Sequence, residues 1–158
     1  MRIPGSVVLT VVLFCAAPAV PQMQSLGPTD TFAAAKLSAK EIRQVLDAVE
    51  QSAYDTPDSW TKELRVRKVD LGGTPGLVVQ GTSLLCGGTG NCQTWCFRKT
   101  NSTWVSLFAA DQAPIASGFQ LGPGVTHELK DFTIVTHLSA EGGERVIFKF
   151  DGTVYRAK

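Results

Sequence analysis

The chain has 158 residues, enough for one domain that buries about two-thirds of its unfolded surface without relying on disulfides. Its 15 basic residues stand against 14 acidic ones, which excludes the basic footprint of a nucleic-acid binder and a polybasic membrane patch.

Residues 1–19 read as a secretory signal peptide. Arg2 gives a short positive start, Val7 to Phe14 an apolar run, and Ala17-Pro18-Ala19 the small-residue pattern for cleavage. A membrane anchor needs about 20 apolar residues, so no span is expected once the signal is gone. Phe14 stands where a lipidation signal needs a small residue, which disfavours lipidation of Cys15. Removal of 1–19 takes Arg2 alone from the charge balance and leaves a formally neutral exported protein, periplasmic or extracellular.

Residues 20–36, with Pro21, Gly27, Pro28 and Ala33-Ala34-Ala35, show no period and read as a flexible lead-in. The domain is expected over 37–158. Ser38-Ala39-Lys40-Glu41 fits a capping box, with Leu37 and Ile42 at staple positions. Ile42, Val45, Leu46, Val49 and Ala53 recur at helical spacing, predicting an amphipathic helix over 38–54, stopped by Tyr54-Asp55-Thr56-Pro57. Short strands follow: Leu64–Arg67, Leu77–Gln80, Gln93–Lys99, Trp104–Phe108, Phe132–Leu138, Val146–Phe150 and Thr153–Arg156. Thr100-Asn101-Ser102 reads as a turn, Asp151-Gly152 as a two-residue hairpin turn, and 109–126 as irregular. The expected fold is α+β: one N-terminal amphipathic helix packed on an antiparallel sheet of about five to seven strands.

The most informative segment is Cys86-Gly87-Gly88-Thr89-Gly90-Asn91-Cys92. In an oxidising compartment paired thiols form disulfides more readily than metal sites, and glycines let so short a ring close. A Cys86–Cys92 disulfide is therefore expected, worth roughly 2–2.5 kcal/mol on the loop-entropy model. Cys96, between Trp95 and Phe97, is left as an odd thiol, packed and inert rather than nucleophilic.

Other chemistries fit poorly. The three cysteines lack zinc-ribbon spacing, and His127 and His137, ten residues apart, would lie roughly 33 Å apart on an extended strand. No lysine or helix follows Gly90, as a phosphate loop requires. No metal and no cofactor are expected. Trp95 and Trp104 flank a turn, where cross-strand packing accounts for them better than sugar stacking; Asn101-Ser102-Thr103 fits a glycosylation acceptor only in a eukaryotic host.

Leu84 to Trp95, Gly118-Phe119, Val125 to Leu129 and Phe148 to Tyr155 together resemble a group of small exported bacterial proteins. These share a Cys-Gly-x-x-Gly-Asn-Cys loop, a His-Asp-Leu-like step and a terminal Phe-Asp-Gly-x-x-Tyr hairpin. The likeness spans 77–158 and implies bacterial export, with no particular activity. Glu128 replaces the Asp of that pattern, and Cys96 an aliphatic residue.

The leading expectation is a non-enzymatic binding or inhibitor-like module that presents the 86–92 loop to an envelope or secreted protein. Gly87, Gly88, Thr89 and Asn91 would make contact, with Cys86 and Cys92 as the brace. The alternatives are a small hydrolase using His127 or His137 with Asp131 or Glu128, and a purely structural accessory domain.

Overall fold

The computed structural model describes residues 22–110, 112–139 and 142–158; the expected signal peptide and Cys15 lie outside the described residues. Helix α1 spans Ala39–Glu50, and a single turn, α2, spans Trp60–Glu63. Nine strands follow among the described residues: β1 (Leu64–Asp70), β2 (Pro75–Gly81), β3 (Cys92–Thr100), β4 (Thr103–Ser106), β5 (Ile115–Ala116), β6 (Gly118–Thr126), β7 (Leu129–Ser139), β8 (Gly142–Phe150) and β9 (Tyr155–Ala157).

These strands correct the fold expected from sequence. Instead of an N-terminal helix on one sheet, the protein is mostly strand, in two antiparallel sheets, with one short helix inside the chain. The first sheet runs β1-β2-β3-β4 with β5 paired onto β3, and the second runs β6-β7-β8-β9.

Two apolar cores account for the layering. Val45 and Val49 of α1 pack with Val66, Leu77, Val79, Trp95, Phe97 and Trp104 on one face of the first sheet. Val78 and Cys96, on the opposite face, pack with Phe119, Phe132, Ile134, Phe150 and Tyr155 of the second sheet. Successive side chains alternate across a strand, so β2 and β3, covered on both faces, must be apolar at consecutive positions. Leu77-Val78-Val79 and Trp95-Cys96-Phe97 are those runs, paired in register as Leu77↔Phe97, Val78↔Cys96 and Val79↔Trp95. Cys96 is thus a small apolar residue of the inter-sheet core. The next pair inward on that face is polar: the Gln80 carboxamide donates to Thr94 Oγ1 (3.1 Å) and to the Ala116 carbonyl (3.0 Å), satisfying a group that is nearly inaccessible to water.

The second sheet is the part that local signals conceal. Gly118, Gly122, Pro123 and Gly124 read as breaks, yet all lie within β6, whose register against β7 shifts between Leu121 and Val125. A bulge absorbs that irregularity without ending the strand. Gly118 has a packing reason: a Cβ there would lie 2.9 Å from the Gln24 carbonyl, and the Gln24 and Phe119 backbones bond each other at 2.7 and 2.8 Å. The β6–β7 turn is His127-Glu128, both with positive φ (47° and 76°), the geometry of a primed hairpin turn without its usual Asn-Gly signal. The Asp151-Gly152 connection, expected to hold two residues, holds four, because Phe150 pairs with Tyr155. Asp151 Oδ1 accepts from the amides of Thr153 (2.8 Å) and Val154 (2.9 Å) and sets that longer turn.

The capping box is present: the Glu41 amide donates to Ser38 Oγ, and the Ser38 amide to the Glu41 carboxylate. The helix stops earlier than 54 because the first sheet captures its end. Trp95 Nε1 donates to Ser52 Oγ (2.8 Å), Gln93 Nε2 donates to the Ser52 carbonyl (2.7 Å), and Gln93 Oε1 accepts from the Tyr54 amide (3.2 Å). The described part of the lead-in is fastened as well. Arg67 grips Asp30 with two parallel bonds of 2.8 and 2.6 Å and also donates to the Ser25 carbonyl.

Candidate functional site

Buried Leu85, at the end of a 3₁₀ turn (Ser83–Leu85), anchors the entrance to the glycine-rich loop. The expected Cys86–Cys92 disulfide is present, closing a ring whose ends lie 3.9 Å apart at Cα. A disulfide belongs to an oxidising environment. Inside the ring the Gly87 amide donates to the Asn91 carbonyl (2.8 Å), and the Gly90 amide to the Gly87 carbonyl (3.0 Å). Gly90, at φ +76°, supplies the left-handed step that this turn requires.

The four candidate contact residues separate here. Gly87, Gly88 and Thr89 are exposed, whereas Asn91 is turned inward and only 8% exposed. Its Oδ1 accepts from the His137 amide (2.8 Å), and its Nδ2 donates to the His137 carbonyl (2.7 Å) and to Thr89 Oγ1 (2.7 Å). β6 meets β7 only as far as the Gly118↔Val135 pair, so His137, the next residue facing that side, has no strand to bond there. The Asn91 carboxamide takes the place of a strand. It is a fastening between the loop and the second sheet, a role that the sequence spacing does not reveal because the partner lies 46 residues away.

That fastening brings the loop tip over the outer face of β7 and β8. Val135 pairs with Arg145 and His137 with Gly143, so the four share one face. They floor an open cleft of about 740 Å³, and Gly88 and Thr89 form a wall of it. His137 and Arg145 are site residues that sequence reading missed or left without a partner. Only the two-sheet topology brings them beside the 86–92 loop.

The histidine–carboxylate pairs of the hydrolase expectation are not brought together. His127 sits in the turn before β7 and His137 near the far end of that strand. Asp131 is engaged by the Thr126 hydroxyl (2.8 Å) and by Lys149 (3.7 Å). No hydrogen bond or ion pair joins either histidine side chain to a carboxylate among the described residues. Cys96 is fully buried, and burial pushes its thiol well above the ordinary range, the reverse of an activated nucleophile. Among the described residues no group of three or more His, Cys, Asp or Glu side chains is placed to hold a metal ion, and no helix is long and apolar enough to cross a membrane. Trp95 and Trp104 are core residues, 1% and 5% exposed, which removes them as stacking platforms. No family model, no curated protein and no solved structure matches this chain.

Proposed function

We propose that the protein is a non-enzymatic binding module, inhibitor-like or adaptor in character, exported by a bacterium and recognising its partner through the Gly87–Gly90 tip and the cleft beside it. The observation that carries this reading is the double fixing of the loop, by the Cys86–Cys92 disulfide and by Asn91 on His137. A loop held at both levels loses little conformational entropy on docking, so contact energy goes into affinity. The apolar N-terminal run and the disulfide both support export.

Gly88 allows a clean test. It has no positive φ, and a Cβ built there meets nothing within 4 Å, so a large side chain at that position blocks the cleft without disturbing the loop. The immobilised exported chain is expected to retain a specific species from its own envelope or culture fraction, and Gly88→Tyr is expected to lose it with unfolding unchanged. Retention of the same species by Gly88→Tyr would show that the tip and cleft are not the contact surface.

A further inference from the structure

The polar part of the cleft includes Thr89 and Arg145, and none of its described lining residues is a carboxylate. The Arg43, Arg67 and Arg156 side chains each hold an acidic partner, whereas the Arg145 side chain makes no hydrogen bond or ion pair with a described residue. Glu144, its neighbour in sequence, points to the opposite face of β8. In the wall of the cleft, Thr89 Oγ1 already accepts from Asn91 Nδ2, which leaves its hydroxyl proton to donate elsewhere. The Gly88 and Thr89 amides, at the middle of their turn, bond to no described residue. The cleft thus gathers a guanidinium, a hydroxyl and two amides with no partner among the described residues, a donor set of the kind that recognises an anionic oxygen pair.

We infer that this cleft binds a carboxylate carried on a peptide-like body; the inference rests on the reading of the cleft as the binding site. Two features favour a carboxylate over a phosphate. One unpaired arginine matches a single negative charge, and Met23 and Val135 give the cleft an apolar flank suited to an aliphatic group next to the anion. The volume of about 740 Å³ accommodates a short peptide end.

The test is an NMR titration of the disulfide-intact exported chain with three probes: N-acetyl-alanyl-alanine as the free acid, the same dipeptide as its C-terminal amide, and inorganic phosphate. The free acid is expected to shift the amides of Gly88, Thr89, Val135 and Gly143 and to bind about tenfold more tightly than the amide, the scale of one charge-assisted contact. Arg145→Gln is expected to erase that difference, and Arg145→Lys to keep part of it. Arg145 is exposed and unpaired among the described residues, so these variants leave the fold intact. Equal binding of acid and amide, or an unchanged preference in Arg145→Gln, would overturn the carboxylate while leaving the cleft as a binding site. Tighter binding of phosphate would replace the carboxylate with a different anion. No shift with any probe would overturn the carboxylate inference, while loss or retention of the captured species by Gly88→Tyr decides the binding reading separately.

Discussion

The carboxamide of Asn91 bonds both backbone groups of His137, at 2.8 Å to the amide and 2.7 Å to the carbonyl, and so completes the edge of a strand that belongs to the other sheet. This one side chain decides where the disulfide loop lies. Without it Gly88 and Thr89 would be the tip of a short ring attached only to the first sheet. With it they become a wall over Val135, His137 and Arg145.

The disulfide and Asn91 act on the same loop at different levels. The bond restricts the unfolded chain, and on the loop-entropy model its removal costs about 2–2.5 kcal/mol. The double variant Cys86→Ser/Cys92→Ser is expected to lose about that much in denaturant unfolding, and exchange of the Gly87 and Gly90 amides is expected to accelerate. An unchanged denaturation midpoint would mean that the ring contributes nothing beyond the loop's own hydrogen bonds.

Cys96 is expected to resist thiol reagents for as long as the protein stays folded. It is sealed between the sheets opposite Val78, and burial holds the thiol in its neutral form. Labelling should therefore follow global unfolding, with the same denaturant dependence. Fast labelling under native conditions would contradict the inter-sheet placement. Cys96→Ser leaves a hydroxyl in the same apolar site and is expected to cost about 1–3 kcal/mol.

Acid should loosen the attachment of α1. Lys99 beside Glu41 (2.8 Å), together with the Ser38 amide and hydroxyl, holds the Glu41 carboxyl down at about 2, against an ordinary value near 4.5. A depressed carboxyl contributes stability that is full above its unfolded value and lost as pH falls through its folded one. The window therefore lies between about pH 4.5 and pH 2. Asp151, held at about 2 by the Val154 and Thr153 amides and by Arg156, against an ordinary value near 3.8, titrates inside that window, between about pH 3.8 and pH 2. Thermal unfolding followed from pH 7 to pH 2 is expected to show Glu41→Gln less stable than the native chain at neutral pH, with the gap closing as pH 2 is approached. A gap that stays constant with pH would remove the Lys99–Glu41 pair as its source.

Local features were legible in the sequence wherever a residue's partner lay within a few positions. The Ser38/Glu41 capping box, the Asn101-Ser102 turn and the Cys86–Cys92 ring are all of that kind. The fold was not, and β6 shows why. Its glycines and proline signal a break, whereas a bulge and the close approach of Gln24 keep it a strand, and both depend on chain that is distant in sequence. Without β6 the strands appear to fill one sheet, and Cys96 looks like an anomaly instead of a core residue covered by a second one. The site followed the same rule. The loop stood out, but the turn of Asn91 toward His137, and the presence of Arg145 and Thr89 in one cleft, exist only once two sheets face each other.

Amide hydrogen exchange at His137 tests the central claim most directly, because that amide is bonded by Asn91 and by no strand. In the native chain it is expected to be protected, and in Asn91→Ala it should exchange at least about tenfold faster, in keeping with a lost bond of roughly 1–3 kcal/mol. The amides of Val79 and Phe97, deep in the first sheet, should hold their rates. Equal His137 exchange in the two proteins would contradict the fastening, and with it the wall of the cleft.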